Sequence, residues 1–461
     1  MTAPLPTPPL AGGRGGADAL RPLLDTVLTA LRTGAADRGG PLPAGGPDAT
    51  AARVRAALGD VFPAHGTGGH EALATLVHTL AAGAADPADP LCAAHLHCPP
   101  LAVAAAADLA VSALNPSLDS WDQAPAASVV EELLTTALAA ELYPTPRPDA
   151  LLTTGGTEAN QLALLLARER HGPRLTVVHG ANAHHSIPRA AWLLGLPPAH
   201  ALPTPTGTLD PATLDTALTT TPGPVLVTAT AGTTDAGLID PLPALADVCD
   251  HHGAELHVDA AYGGTLALSP RHRPRLTGLE RARSITLDLH KLGWQPVAAG
   301  LLAVPDTRLL APLAHQADYL NATDDTEAGL PDLLGRSLRT TRRPDAVKIA
   351  TTLRALGRDG LAHLIDRTCA TAEYFADLLD AHPGFELHAR PTLTTVLFRP
   401  TPTDDDRLAT LRRTLLQDGT AVLGRATADG RLWLKATLLN PHTTAGDLDT
   451  LIAHLEGRTH R

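Results

Sequence analysis

Two rhythms of apolar and polar positions run along this chain. Over residues 18–32 (DALRPLLDTVLTALR) Leu and Val recur at helical spacing, and a similar stretch containing LATLVHTL covers 69–83. Another helix is expected near 50–58, with a Gly- and Pro-rich loop at 33–49. Residues 1–17 are rich in Pro and Gly and are expected to be a disordered tail. From about residue 150 the texture changes to short apolar runs: LLTT (151–154), LTVVHG (175–180), PVLVTAT (224–230), ELHVDAA (255–261), SITLDLH (284–290) and GLLAV (300–304). Helical stretches separate several of them, among them 157–170 and 241–253. Strands alternating with helices predict an α/β fold with a mostly parallel central sheet, flanked by helices on both faces. Past about residue 345 the pattern restarts. A long helix over 345–380, interrupted near Gly357–Gly360, leads to strands at 394–400 and 432–439 and helices near 405–417 and 445–456. The expected organisation is a tail (1–17), a helical N-terminal segment (18–90), a large domain (91–344) and a small α+β C-terminal domain (345–461).

Composition narrows the function. With 44% hydrophobic and 18% charged residues the chain reads as globular. A net charge of -12, without any Lys/Arg block, argues against nucleic acid or an anionic membrane as partner. The stretch 101–114 carries Asp108 and is too short to span a bilayer. Cys92, Cys98, Cys249 and Cys369 are too few and too irregular for a disulfide framework, and the first residues do not read as a signal peptide. A cytoplasmic location is expected. Of 36 basic residues only Lys291, Lys348 and Lys435 are lysines. A GC-rich coding bias replaces Lys by Arg wherever charge suffices, but guanidinium stays protonated and cannot form an imine. Each surviving lysine is therefore a candidate for amine chemistry, or a chance survivor.

The candidate chemistry gathers where the predicted strands end, the usual place for ligands on such sheets. TTGGTEAN (153–160) has two glycines before a helix opening at Thr157, a cradle for an anion or an ordinary strand-to-helix turn. HVDAAYGG (257–264) ends an apolar strand on Asp259. A carboxylate there needs a cationic partner, which a protonated pyridine nitrogen would supply; a helix cap or structural ion pair is the alternative. SITLDLHKLGW (284–294) sets His290 and Lys291 at another strand end, where partial desolvation favours the free amine. AHHS (183–186) offers an imidazole to stack on a flat ring, and GTTD (232–235) offers hydroxyls. Cys92, His95, His97 and Cys98 lie close together but fit no zinc spacing, so no metal site is expected.

These segments, with AHLHCPP (94–100), ALNPSLDSWDQAPAASVVEELL (113–134), LAPLAHQADYLN (310–321) and SLRTTRRPDAVK (337–348), resemble the group II decarboxylases that use pyridoxal 5′-phosphate (PLP). That family holds the aromatic-amino-acid and glutamate decarboxylases. The texture is closest to its bacterial L-2,4-diaminobutyrate branch, over about residues 90–450. The resemblance implies PLP fold type I, like aspartate aminotransferase, and decarboxylation of an L-amino acid, diamino or basic in kind. Lys291 would carry the cofactor as a Schiff base and Asp259 would face the pyridine nitrogen. His184 would stack on the ring, beside His185. Thr234 and Asn160 would lie near the cofactor, Ala261 against its ring, and Gly156, Thr157 and Asp288 near its phosphate. His290 would sit at the substrate carboxylate, and Lys435, His95 and Trp121 near the substrate. A homodimer with shared active sites is implied. Relatives often carry a Tyr in a mobile loop that returns a proton to the substrate carbon. The matching loop (about 321–339) has none: Leu333 is near that place and Tyr319 precedes it. The donor is left open, His290 being a substitute. Aromatic amino-acid decarboxylation, oxidative deamination, another fold type I reaction and a silent scaffold are the competing readings.

Overall fold

The computed structural model describes residues 7–315 and 317–459. The expected tail falls partly on residues 1–6, outside the described residues, and residues 7–15 carry no helix or strand. Seven strands make the main sheet: β1 (Asp149–Thr153), β2 (Thr176–Gly180), β3 (His200–Leu202), β4 (Val225–Thr230), β5 (Glu255–Asp259), β6 (Ser284–Asp288) and β7 (Gly300–Val304), in the order β1-β7-β6-β5-β4-β2-β3. The pairs among β2 to β6 are parallel, whereas β7 runs antiparallel to both neighbours. Every residue of β1, β4, β6 and β7 is buried. That is why these runs are continuously apolar or small rather than alternating: helices cover both faces. The chain leaves β6 and returns in β7 through residues 289–299 without a crossover helix, which forces the antiparallel pairing. The residues at 290 and 291 ride on that return.

Two glycines set how closely β7 and β1 approach. A Cβ on Gly300 would lie 2.5 Å from Gly155 Cα and 2.5 Å from Thr153 Oγ1. The turn after β1 therefore rests directly on β7, beside the β6–β7 return.

The second sheet is antiparallel, ordered β10-β11-β9-β8, from β8 (Phe385–Leu387), β9 (Thr395–Pro400), β10 (Gly424–Ala428) and β11 (Arg431–Thr437). The helix Ala346–Ala381 connects the two sheets and is broken at Gly357, whose φ of 65° and ψ of -175° are not helical. The interruption expected near Gly357–Gly360 is thus a kink in one element. Ala346, Ile349, Leu361 and Ile365 pack into the core under the large sheet; Ala372, Phe375 and Leu379 pack under the small one. Trp294, fully buried on the β6–β7 return, donates Nε1–H to Leu439 O at 2.8 Å, a second tie between the sheets.

Two expectations at the N-terminus change. The helix expected over 18–32 runs from Gly16 to Arg38 and ends where Gly39 turns left-handed (φ 71°), so the loop expected at 33–49 is shorter. Gly34 continues the helix because the helix Gly69–Gly83 crosses there: a Cβ on Gly34 would meet His78 O at 2.5 Å. The next helix, Gly46–Leu58, starts before 50 and buries none of its residues. The short strands β3, β8 and β10 were not anticipated.

Arg342 is buried against Glu131 of the helix Pro125–Leu142, both oxygens accepting from one guanidinium nitrogen at 2.8 and 2.9 Å. Removing one member strands the other charge without water. Glu131→Ala is expected to lower unfolding free energy by about 3–5 kcal/mol in chemical denaturation, whereas Glu131→Leu combined with Arg342→Met recovers most of it.

Candidate active site

The ends of five strands surround one cavity of about 320 Å³. Thr154, Gly155, Gly156 and Thr157 reach it after β1, His184 after β2, and Thr230, Gly232 and Thr234 at and after β4. Asp259, Ala261 and Tyr262 arrive from β5, and Asp288, His290 and Lys291 from β6. Asn160 and Leu96 complete the lining. All ten residues assigned to the cofactor from the sequence therefore line one cavity.

Asp259 is buried at the end of β5. Its Oδ1 accepts from the Ala261 N–H at 3.1 Å and its Oδ2 from Asn160 Nδ2 at 2.8 Å. Among the described residues it forms no ion pair, so its charge is met by hydrogen bonds alone. Lys291 Nζ is instead 2.9 Å from Asp288 Oδ2, and His290 Nε2 is 3.6 Å from the same oxygen. Asp288 Oδ1 is buried with no hydrogen-bond partner. The Ala299 N–H points at His290 Nδ1 (3.3 Å), which leaves the ring proton on Nε2, toward Asp288. A Cβ on Gly155 would come within 3.0 Å of His290 Cε1, and one on Gly156 within 3.0 Å of Ala261 and 3.2 Å of Asp288 Oδ2. Bare backbone is what lets a group enter between these residues.

His184 is half-buried. Ser186 directs both its N–H (3.3 Å) and its Oγ (2.8 Å) at His184 Nδ1, so the ring proton sits on Nε2. Burial, with His185 and Lys291 adding to it, lowers the His184 pKa against the pull of Asp259; burial also lowers that of His290. His185 lies ring to ring with His184, centroids 4.1 Å apart, but outside the cavity lining.

The residues expected near the substrate fall differently. Lys435, on β11, donates from Nζ to Thr234 O at 3.0 Å and lies 4.0 Å from Asp235 Oδ1, so it touches the cavity wall from behind. Burial lowers its pKa. His95 is exposed, and Lys435 adds to the burial that lowers its pKa. Trp121, in the turn Trp121–Gln123, is 37% exposed and does not line the cavity. Leu333 lines a separate hollow with Val129, Glu132 and Arg336, and Tyr319 is 82% exposed. The third lysine, Lys348, is fully buried with Nζ 2.9 Å from Asp345 Oδ1; its retention is structural. Sequence reasoning missed Tyr262, whose OH bonds to Thr394 and Thr395, and the hub formed by His257, Thr286 and Ser186 around Asn160. It also missed Glu158, whose Oε2 accepts from both N and Oγ1 of Thr154 while Oε1 pairs with Arg339.

Residues 63–401 match the model of the pyridoxal-dependent decarboxylase conserved domain. The chain belongs to this family. It is 42% identical to the L-2,4-diaminobutyrate decarboxylase of Rhizobium meliloti (strain 1021), over 84% of this chain and 81% of that protein. Human cysteine sulfinic acid decarboxylase is 31% identical over 77% of this chain and 78% of its own length. Among solved structures, the glutamate decarboxylase domain of a Vibrio parahaemolyticus diaminobutyrate-pyruvate transaminase and L-2,4-diaminobutyrate decarboxylase superposes with a TM-score of 0.86. It is 30% identical and covers 98% of this chain and 97% of its own. The protein is a PLP-dependent decarboxylase of fold type I, and the cavity suits that cofactor. Asp259 is a buried carboxylate lacking a cation, the complement of a protonated pyridine nitrogen. Lys291 would supply the amine, and the glycine turn at a helix start would offer space and N–H groups to a phosphate.

The site histidines also predict how this decarboxylase responds to acid. In the fold the pKa of His184 and of His290 is lowered, and full burial pushes that of His257 down to about 4, from ordinary values near 6.5. Between those values the unfolded chain holds protons that the folded chain does not, so stability rises with pH and is lost as pH falls. His257 alone accounts for about 1.4 kcal/mol per pH unit inside that window. Denaturation curves from about pH 7 to pH 5 are expected to show this slope, and His257→Gln to flatten it.

Proposed function

We propose that this decarboxylase acts on L-2,4-diaminobutyrate or a closely similar diamino acid, releasing CO2 and the amine. The observation that carries the substrate class is the 42% identity to the Rhizobium meliloti enzyme across 84% of this chain. Lys291 would hold PLP through its amine, and Asp259 would meet its ring nitrogen. His184, with Nδ1 occupied by Ser186, would pack its imidazole against the cofactor. When bound, PLP supplies the sink that accepts the electrons of the breaking C–C bond. The protein binds, orients and manages protons. Asp288, 2.9 Å from Lys291, holds the ammonium of that lysine when it is not linked to the cofactor. His290 carries its Nε2 proton beside the same carboxylate and lines the cavity, as Leu333 and Tyr319 of the same chain do not, and is the candidate proton donor to the substrate carbon. Gly156, Thr157 and Asn160 line the cofactor's seat, and Thr234 is its wall on the side where Lys435 donates.

The working form is a homodimer in the cytoplasm. Supporting the dimer, Leu28, Leu31, Leu76 and Leu80 are exposed on the first and third N-terminal helices, whose apolar sides lack cover. Supporting the compartment, all four cysteines are unpaired.

The test is a decarboxylation screen over the standard amino acids plus ornithine and L-2,4-diaminobutyrate, with products identified in the presence and absence of oxygen. Diaminobutyrate is expected to turn over fastest, to an amine, without oxygen consumption. Lys291→Ala is expected to abolish turnover, and borohydride followed by digestion to leave a pyridoxyl adduct on Lys291 of the unsubstituted protein. Faster turnover of an aromatic or acidic amino acid, or an aldehyde product that requires oxygen, overturns the assignment.

A further inference from the structure

In the cavity lining, Asn160 has every polar valence filled. Its Nδ2 donates to Asp259 Oδ2 at 2.8 Å and to Ser186 Oγ at 2.9 Å. Its Oδ1 accepts from Thr286 Oγ1 at 2.7 Å and lies 3.0 Å from His257 Nε2. The sense of this hub follows from chemistry. Asp259 offers only acceptors in its ionised form, so the amide nitrogen of Asn160 must face it and the oxygen must face His257. With the Asn160 oxygen facing it, His257 Nε2 bears the proton, and Nδ1, which also lies 3.1 Å from the Ser284 carbonyl, accepts from the shorter contact, Ser284 Oγ at 2.8 Å. His257 is fully buried between β4 and β6, and burial keeps its ring neutral, which suits one donor and one acceptor.

Ser186, whose hydroxyl proton goes to His184 Nδ1, accepts from the amide nitrogen as Asp259 does; on the oxygen side the Thr286 hydroxyl can rotate, which leaves His257 as the fixed donor. The imidazole is held from its far side by Ser284 and cannot swing away. It shares β5 with Asp259, two residues along and on the same face; it feels that carboxylate's charge directly, but its hydrogen-bond link to it runs through Asn160.

We propose that His257 is a positioning residue for the cofactor: its Nε2–H locks the Asn160 amide, and Asn160 in turn aims the Asp259 carboxylate at the ring nitrogen. This rests on the reading of Asp259 as the partner of that nitrogen. Asp259 Oδ1 is pinned by the Ala261 N–H and Oδ2 by Asn160. The lone pairs left over face the cavity, and their direction depends on an amide that cannot turn. His257 touches neither cofactor nor substrate.

The experiment measures the PLP dissociation constant of the apoenzyme and the pH titration of bound-cofactor absorbance in the holoenzyme, for His257→Phe, His257→Gln, Asn160→Ala, Asp259→Ala and His257→Phe/Asn160→Ala. The Phe variant keeps the ring volume but loses the donor; it is expected to weaken PLP binding about tenfold and to displace the absorbance titration. The Gln variant, which retains an N–H, is expected to recover most of both. Because His257 acts through Asn160, the double variant is expected to bind no worse than Asn160→Ala alone. Should His257→Phe fold poorly, the comparison of Gln with Asn160→Ala carries the same information. Unchanged affinity and titration in His257→Phe, or multiplying losses in the double variant, overturn the proposal while leaving Asp259 in place if Asp259→Ala is impaired. An Asp259→Ala protein that binds and titrates like the unsubstituted one overturns the reading of Asp259 and this proposal together.

Discussion

A carboxylate taken out of water must be met by donors, by positive charge, or by both. Asp259 is met by two N–H groups and, among the described residues, by no cation, and the local architecture is arranged around that imbalance. The one lysine amine in the cavity is held elsewhere, on Asp288. On the proposed reading the two carboxylates divide the labour: Asp288 keeps the amine of Lys291, and Asp259 is left for a positively charged ring. Were Lys291 to pair with Asp259 instead, both groups would be satisfied and neither would have reason to engage a cofactor.

The sheet makes this division possible. Asp259 and Asp288 end the neighbouring parallel strands β5 and β6, with Asp259 paired in register with Thr286 rather than with Asp288. Parallel strands carry their carboxyl ends to one edge, so the two acids sit near one another without sharing a partner. The antiparallel return of β7 then keeps Lys291 beside the strand it has just left, and the Gly155–Gly300 contact seats the phosphate-side turn against that return. Small residues at these points act by letting backbone come close.

Much of this was readable from the chain. The six apolar runs became β1, β2, β4, β5, β6 and β7, because a strand buried on both faces leaves a continuous apolar signature. Lys291 stood out because arginine had replaced lysine almost everywhere else. Asp259 stood out because it closes an apolar strand. The short β3, β8 and β10 were unreadable: each is partly exposed, and GRATA in β10 has a single β-branched residue, Thr427, and no aromatic. The hub escaped notice for another reason. His257 lies inside a quoted motif, yet its partner Asn160 is far away in sequence, and only the packing of the helix Gly156–His171 on the sheet brings them within 3.0 Å. Trp121 and His95 were placed by likeness alone, and in the single chain neither lines the cavity. Lys348 shows the limit of counting lysines, since a buried ion pair preserves one as well as chemistry does.

The kinked helix Ala346–Ala381 contributes apolar side chains to the core beneath each sheet. It behaves as a beam common to two floors. Lifting it from one floor strips cover from the other, which couples the loss of the two. Lys435 and Thr234, one on each side of that divide, are tied across it by a 3.0 Å hydrogen bond that the same beam helps to hold.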